Sequence, residues 1–414
     1  RQVYNFNPGW RFFKGDIHEA ESVDFDDRSW TIVSTPHTVE LMPAEASGCR
    51  NYQGPAWYRK HFVLPAETKG KQVLLHFEAA MGKQVLYLNG KRIQEHIGGY
   101  LPFTLDLTAN GVQAGDSCLL AVFVDNSNDK SFPPGKPQYT LDFAYHGGIY
   151  RDVWMIAKSP VSITDAIESQ TIAGGGVFVH FDKISEKSAQ VYVNTELQNK
   201  NQRSETVTVE TALTDTDGKV IRRASGKLSL KPGEKKTIRQ QIEIKNPKLW
   251  SPDSPYLYRV QSRVKKGNQS IDGGITRIGI RQAEFRGKDG FWLNGKPFGQ
   301  LVGANRHQDF AYVGNALPNS QQWRDAKRLR DAGCTIIRVA HYPQDPSFMD
   351  ACDELGMFVI VATPGWQYWN KDVKFGELVH QNTREMIRRD RNHPSVLMWE
   401  PILNETRYPL DFAL

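Results

Sequence analysis

The sequence predicts a multidomain chain: two β-sandwiches followed by the first half of a (β/α)8 TIM barrel. Three observations carry this reading. Residues 1–160 and 161–283 read as successive runs of strands without helices. From about residue 284 strand and helix alternate. In that last region, 284–414, polar residues collect just past the strand C-termini. Several domains are expected of 414 residues, because single cores stop growing at roughly 250–300 residues.

In the first region "KQVLLHFEAA", "QVLYLNGKRIQEHIGG" and "CLLAVFVDN" are short runs rich in Val, Leu and aromatics, broken by Gly, Pro and Asn. Asn89-Gly90 between two such runs is a strong hairpin signal, since both turn residues must adopt positive φ. A two-sheet sandwich buries strands of this kind. The second region is more polar. "AQVYVNTELQN", "ETVTVETALTD" and "KTIRQQIEI" alternate with period two, the mark of strands with one wet face. Its length and strand density fit an immunoglobulin-like sandwich.

The third region runs strand "FGQLVGAN", helix "SQQWRDAKRLRDAG" stopped by Gly333, strand "TIIRVAHYP", then helix "DPSFMDACDELG". That second helix has Asp345 as cap, Pro346 at its first position and Gly356 at its end. Strand "MFVIVATP", helix "KFGELVHQNTREMIRR" and strand "SVLMWEPILN" follow. Asn382 is the polar exception on the apolar face of the third helix. Strict βα alternation predicts a parallel sheet, and the apolar strands predict one covered on both faces. A full barrel needs about 250 residues, so these four units make half of one. "GANRHQ" after the first strand lacks the GxGxxG turn of a nucleotide-binding sheet.

Composition narrows the function. No apolar run approaches the roughly 18–20 residues that cross a bilayer. The net charge of +6, from 52 basic and 46 acidic residues, is nearly balanced. The densest basic run, "REMIRRDRNH", reads as a solvated helix end rather than a nucleic-acid surface. Cys49, Cys118, Cys334 and Cys352 are scattered, with neither a zinc signature nor a disulfide framework, and Cys334 and Cys352 are expected to be buried thiols. The aromatic content of 11%, with ten Trp, fits either stacking platforms for a ligand or a large β core. The chain begins "RQVYNFNPGW", without Met or an apolar leader. A removed signal peptide and a trimmed chain both account for that start, and a periplasmic or secreted protein is the expectation.

The chemistry-bearing residues are those at strand ends. Glu405, with Asn404 beside it, follows the fourth strand. A carboxyl at a barrel mouth near aromatics is raised in pKa by desolvation and can serve as a general acid. The alternative is that the pair caps the following segment. His307 and His341 end strands one and two; neutral imidazoles there can bind hydroxyls, and structural histidines are the other reading. Arg338 can hold a carboxylate bidentately, either a ligand's or one within the barrel. His307, His341 and Glu405 could also form a metal set, but without the spacing of a known motif.

These residues sit in a recognisable order. "YQGPAWYRKHF", "VLYLNGKRIQEHIGGYLPFTLDLT", "HGGIYRDVW", "NPKLWSPDSPYLY", "GANRHQDF", "IIRVAHYP", "MDACDELGMFVI" and "RDRNHPSVLMWEPILNE" resemble glycoside hydrolase family 2, the β-galactosidase, β-glucuronidase and β-mannosidase group. The resemblance spans the whole chain. It implies a sugar-binding β jelly roll at 1–160, an immunoglobulin-like domain at 161–283 and the N-terminal half of the catalytic barrel at 284–414. It implies Glu405 as general acid/base and Asn404 as a contact to the substrate 2-hydroxyl. Arg338, His341 and His307 match positions lining the sugar pocket. Asp142 in "LDFAYHGGIYRD" resembles an aspartate that a jelly-roll loop sends into the galactosidase site, although its neighbours differ.

The family retains anomeric configuration through a covalent glycosyl-enzyme, with two carboxyls about 5–5.5 Å apart. The nucleophile is a Glu expected at strand seven, beyond Leu414, so this chain by itself is expected to be inactive and part of a longer enzyme. In "TPGWQYWN", Trp366 and Tyr368 stand where well-known galactosidases carry magnesium ligands, so no cofactor is expected. Trp366 or Trp369 then either stacks on sugar or closes the barrel mouth. "WEPILNE" in place of an "SLGNE" type of run implies a divergent branch. "GANRHQ" is more like galactosidases than the other members. The expectation is a retaining exo-β-galactosidase acting on terminal β-galactosides of oligo- or polysaccharides. β-Glucuronidase, β-mannosidase and a non-catalytic carbohydrate-binding protein are the alternatives. A carbohydrate is the expected partner, with no nucleic acid and no membrane, and a homo-oligomer is left open.

Overall fold

The computed structural model describes residues 1–42, 51–403, 408, 409 and 412. Asn404, Glu405 and Cys49 lie outside the described residues.

The first sandwich faces a six-stranded antiparallel sheet against a four-stranded one. The larger sheet runs Thr31–Val33, Trp10–Lys14, Pro55–Val63, Ser117–Asp125, Lys83–Leu88, Lys91–Ile97. The smaller runs Gln2–Asn5, Val153–Lys158, Gln72–Phe77, Phe103–Asp106. Asn89 (φ 50°) and Gly90 (φ 80°) make the tight turn between the last two strands of the larger sheet. Trp10, Tyr58, Leu75, Phe77, Leu120 and Val153, all fully buried, fill the space between the sheets. Each such apolar side chain stabilises by about 1.5–3 kcal/mol relative to exposure. Trp30 and Trp57 form a second cluster with Phe13, Phe25 and Phe123. Much of the Trp content thus serves the core.

The immunoglobulin-like unit pairs two four-stranded antiparallel sheets. One holds Val161–Ile163, Ser188–Asn199, Val177–Asp182 and Lys235–Lys245; the other holds Val220–Leu230, Glu205–Thr214, Tyr258–Lys266 and Gln269–Ile278. The period-two pattern becomes an inner row including Val191, Val193, Leu213, Ile242 and Val260. A small sheet of Ala283–Phe285, Phe291–Leu293 and Lys296–Pro297 leads out of this unit. Its Phe291 and Leu293 pack with Trp250 and Phe358.

The third unit is a four-stranded parallel sheet in chain order: β1 (Gly303–Arg306), β2 (Ile336–Val339), β3 (Phe358–Ala362) and β4 (Val396–Glu400). The connecting helices are α1 (Asn319–Asp331), α2 (Pro346–Leu355) and α3 (Val373–Asp390). Asp345 caps α2 by accepting from Ser347 N at 2.8 Å, and Gly356 ends it in the left-handed conformation at φ 72°. Asp372 caps α3 in the same way through Lys374 N. The helices cover one face of the sheet, where Ile337, Val339, Val359 and Val361 are fully buried with Phe348, Met349 and Met386.

With four of a barrel's eight units in this chain, the sheet face away from the helices is open: Gly303 and Asn305 are exposed, Arg338 and Ile360 are half-buried, and Met398 is 36% exposed. Two expectations need correction. The fourth strand stops at Glu400, five residues short of Glu405, and a bend follows at Pro401 and Ile402. The basic run is not a solvated helix end. Arg388 is buried, Arg389 pairs with Asp390 at 2.7 Å, and Arg391 donates to the backbone oxygens of Gly174 and Gly175.

The jelly roll is bolted to the barrel unit. Arg151, with no exposed surface, donates to Tyr100 O (3.1 Å), Gln308 Oε1 (3.0 Å) and Pro343 O (2.9 Å). One guanidinium thus ties the segment leading into the jelly-roll strand Val153–Lys158 to the loops that follow β1 and β2. Tyr100 stacks on Tyr342 with centroids 4.2 Å apart. Gly135 lies so close to Tyr368 that a Cβ there would sit 2.6 Å from the ring.

Candidate active site

Strand direction brings the site residues together. β1, β2 and β3 are parallel and in register, so the residues just past their C-termini share one end of the sheet. His307 follows β1, His341 follows β2 and Trp366 lies in the loop after β3. The two imidazoles stand edge to face with centroids 5.4 Å apart. Trp366 stacks flat on His341, at 5.3 Å and 5°.

The jelly roll supplies a roof. Phe143, 2% exposed, contacts the rings of His307 (4.9 Å), His341 (5.9 Å) and Trp366 (6.4 Å). Beside it Asp142 is exposed, and its charge bears on both histidines. Lys136 places its ammonium 3.9 Å from the centre of the Trp366 ring and donates to Gln367. Trp366 therefore meets His341 and Lys136 as part of the wall. Trp369 does not join this group: it packs with Phe375, Tyr408 and Phe412.

Burial fixes the charge state of the two imidazoles. Desolvation lowers His307, against the opposing pull of Asp309 and Asp142. His341 is pushed down to about 4, first by burial and then by His307 and Arg338, with Asp142 opposing. Both rings are neutral at pH 7, so each carries one donor and one acceptor nitrogen. The Nδ1 of His341 is buried without a hydrogen-bond partner among the described residues. An unsatisfied buried nitrogen of this kind is the natural place for a ligand hydroxyl or a water.

Arg338, on β2, holds Glu400 bidentately at 2.8 and 2.7 Å. Of the two readings of this arginine, the carboxylate within the barrel is the one observed. Glu400 is not among the residues singled out from the sequence, because it lies inside the run that leads to the Asn404-Glu405 pair. Yet one Glu at the end of an apolar strand, facing one Arg two strands away, is a legible charge match. Phe143 and Lys136 were also missed. Their contacts join residues about 160 to 230 positions apart, which no local pattern reports.

No metal set forms from His307 and His341 with any described carboxylate. Among the described residues one group, Asp350, Asp353 and His393, has ligand atoms within 4.8 Å of one another. It lies between α2 and the start of β4, where His393 Nδ1 is 2.6 Å from Asp353 and Arg277 is 2.5 Å from Asp350.

Comparison with known proteins gives the architecture its family. Residues 16–160 match the sugar binding domain of glycosyl hydrolases family 2, residues 171–281 a further model of that family, and residues 285–414 its TIM barrel domain. A β-galactosidase of Thermoanaerobacter pseudethanolicus is 36% identical over 413 residues, which is 100% of this chain and 53% of that protein. A β-glucuronidase of Formosa agariphila is 32% identical, over 97% of this chain and 42% of its own length. Among solved structures, β-glucuronidase 2 of Bacteroides uniformis, covalently bound to a cyclophellitol-6-carboxylate aziridine, superimposes with a TM-score of 0.87. It is 32% identical, over 96% of this chain and 46% of its own. The chain thus spans about half the length of the relatives it matches. It belongs to glycosyl hydrolases family 2, of which it holds the sugar-binding domain, the immunoglobulin-like domain and part of the TIM barrel.

Proposed function

We propose that the protein containing this chain is a retaining exo-β-galactosidase. The observation that carries the reading is the pair of neutral imidazoles, His307 and His341, beneath Phe143 and beside Trp366 at the C-terminal end of the barrel strands. Such a wall offers hydroxyl-binding groups and apolar surface together, as a pyranose demands. The 36% identity to a β-galactosidase along the entire chain supports the choice of galactoside.

In this reading Glu405 protonates the departing glycosidic oxygen and Asn404 binds the 2-hydroxyl. A second carboxylate, from the part of the protein outside this chain, attacks the anomeric carbon from the opposite face. That bond forms as the glycosidic bond breaks. Glu405, now a carboxylate, takes a proton from water, whose oxygen displaces the enzyme carboxylate and restores it. Arg338 and Glu400 hold β2 and β4 together beside this chemistry. Asp142 and the two histidines bind sugar hydroxyls. No step in this reading uses magnesium: Trp366 is an indole stacked on His341, and Tyr368 donates to Lys130 O, so neither position supplies a carboxylate to hold that ion.

β-Glucuronidase of the same family is the second reading. Two relatives of that name are 32% identical, and Lys136 puts a cation at the wall that could face a uronate. The deciding experiment assays the full-length protein on nitrophenyl β-galactoside, β-glucuronide and β-mannoside. Turnover of the galactoside, lost in Glu405→Gln, supports the proposal. Turnover of the glucuronide alone overturns the choice of sugar, and no turnover of any leaves a carbohydrate-binding protein.

A further inference from the structure

A second cleft, of about 560 Å³, lies between the immunoglobulin-like domain and the C-terminal end of α3. Phe178, His180 and Arg281 line it from the immunoglobulin-like domain, and Arg388, Arg391 and Trp399 from the barrel unit. Three guanidiniums in so small a space call for compensating negative charge. Their described partners are backbone oxygens instead. Arg281 donates to Pro394 and Val396, Arg388 to Thr171 and Arg384, and Arg391 to Gly174 and Gly175.

The carboxylates that act on them do so from a distance and are engaged elsewhere. Glu196 accepts from Thr164 and Ser169, Asp353 from His393 and Ser395, Glu385 from Gln381, and Asp165 from the backbone of Ile167 and Glu168. The Nε of Arg391 is buried with no hydrogen-bond partner among the described residues. Burial lowers Arg281 and Arg391 to about 10 each, and Arg388 adds to the effect on Arg391. The guanidinium of Arg391 lies 4.7 Å from the centre of the Phe178 ring, which also stacks on His180 at 5.3 Å, so its charge meets a π face there rather than a carboxylate.

We propose that this cleft binds an oxyanion, either a free sulfate-like ion or the carboxylate of an acidic sugar whose ring rests on Trp399. The guanidinium nitrogens not used in those backbone bonds, Nη1 of Arg281 and Nη2 of Arg388 among the described contacts, suit such a group. None of the cleft residues belongs to the barrel site, whichever sugar that site hydrolyses.

Thermal unfolding of the full-length protein tests this, with sodium sulfate, sodium glucuronate and glucose added against sodium chloride of equal ionic strength. A saturable rise of about 3–6 °C is expected at ten times Kd for at least one of the two anions, and none for glucose. Ile172, 69% exposed at the cleft, tolerates a charge without loss of packing. Ile172→Glu should remove the anion-specific rise while leaving the ligand-free Tm within about 1 °C. Arg391→Gln should weaken binding at least tenfold. A rise for glucuronate alone identifies an acidic sugar, and one for sulfate alone a free oxyanion. If neither anion gives a saturable rise, or the rise persists in Ile172→Glu, the proposal is wrong.

Discussion

Replacing Arg151 with methionine should loosen the joint that carries the candidate site. The guanidinium has no exposed surface, makes three hydrogen bonds of 2.9–3.1 Å and lies 3.8 Å from Asp345, itself 3% exposed at the side chain. The substitution strands two backbone oxygens, one amide oxygen and a buried carboxylate. Breaking a buried charge pair from one side costs about 3–5 kcal/mol. For a unit of 150–250 residues each kcal/mol moves Tm by about 2–4 °C, so a drop of about 6–20 °C is expected. Arg151→Lys keeps the charge but cannot reach three acceptors in a fork, and should fall between. Calorimetry of the full-length protein gives the Tm. Steady-state kinetics in the same preparations should show a raised KM, because the Gln308 and Pro343 loops carry His307 and His341. A methionine variant that unfolds within 2 °C of the parent would refute the reasoning.

Three more outcomes follow from the structure. Phe143→Ala removes a buried ring touching His307, His341 and Trp366, and should cost about 3–5 kcal/mol and raise KM, read by denaturation and kinetics. Glu400→Gln leaves the half-buried Arg338 with a weaker partner; a loss of about 1–2 kcal/mol and a fall in kcat are expected. The pH dependence of stability should peak near pH 6.5. His37, His96 and His341 have folded values lowered to about 4, so the unfolded chain binds more protons and stability climbs as pH rises from about 4 to 6.5. Glu78, raised to about 8, and His393, raised to about 9, bind more protons when folded. Their stability is lost as pH rises through those values, and Tm scans from pH 4 to 9.5 check both limbs.

Local signals in the sequence were legible where one residue type answers one backbone need. The Asn89-Gly90 turn, the Asp345 cap and the left-handed Gly356 are of this kind. So were His307 and His341, because a polar residue after an apolar run marks a strand end. The end of β4 was misjudged because Pro401-Ile402-Leu403 continues the apolar character while Pro401 has no N–H to extend a ladder. The basic run misled for another reason. Charge density suggests solvent, but long arginine stems reach backbone oxygens of a neighbouring domain, and sequence cannot show which domain is near. The roof of the site was illegible for the same cause: Phe143 and Lys136 act on residues of another domain.

The most direct test concerns proton donation by Glu405. In the full-length protein, Glu405→Ala should cut kcat/KM for an alkyl β-galactoside by about 10²–10⁴-fold. It should spare the first step on a dinitrophenyl galactoside, whose leaving group needs no proton, and added azide should then restore turnover by forming a β-galactosyl azide. Hydrolysis of the alkyl galactoside by Glu405→Ala at the parent rate would contradict the assignment.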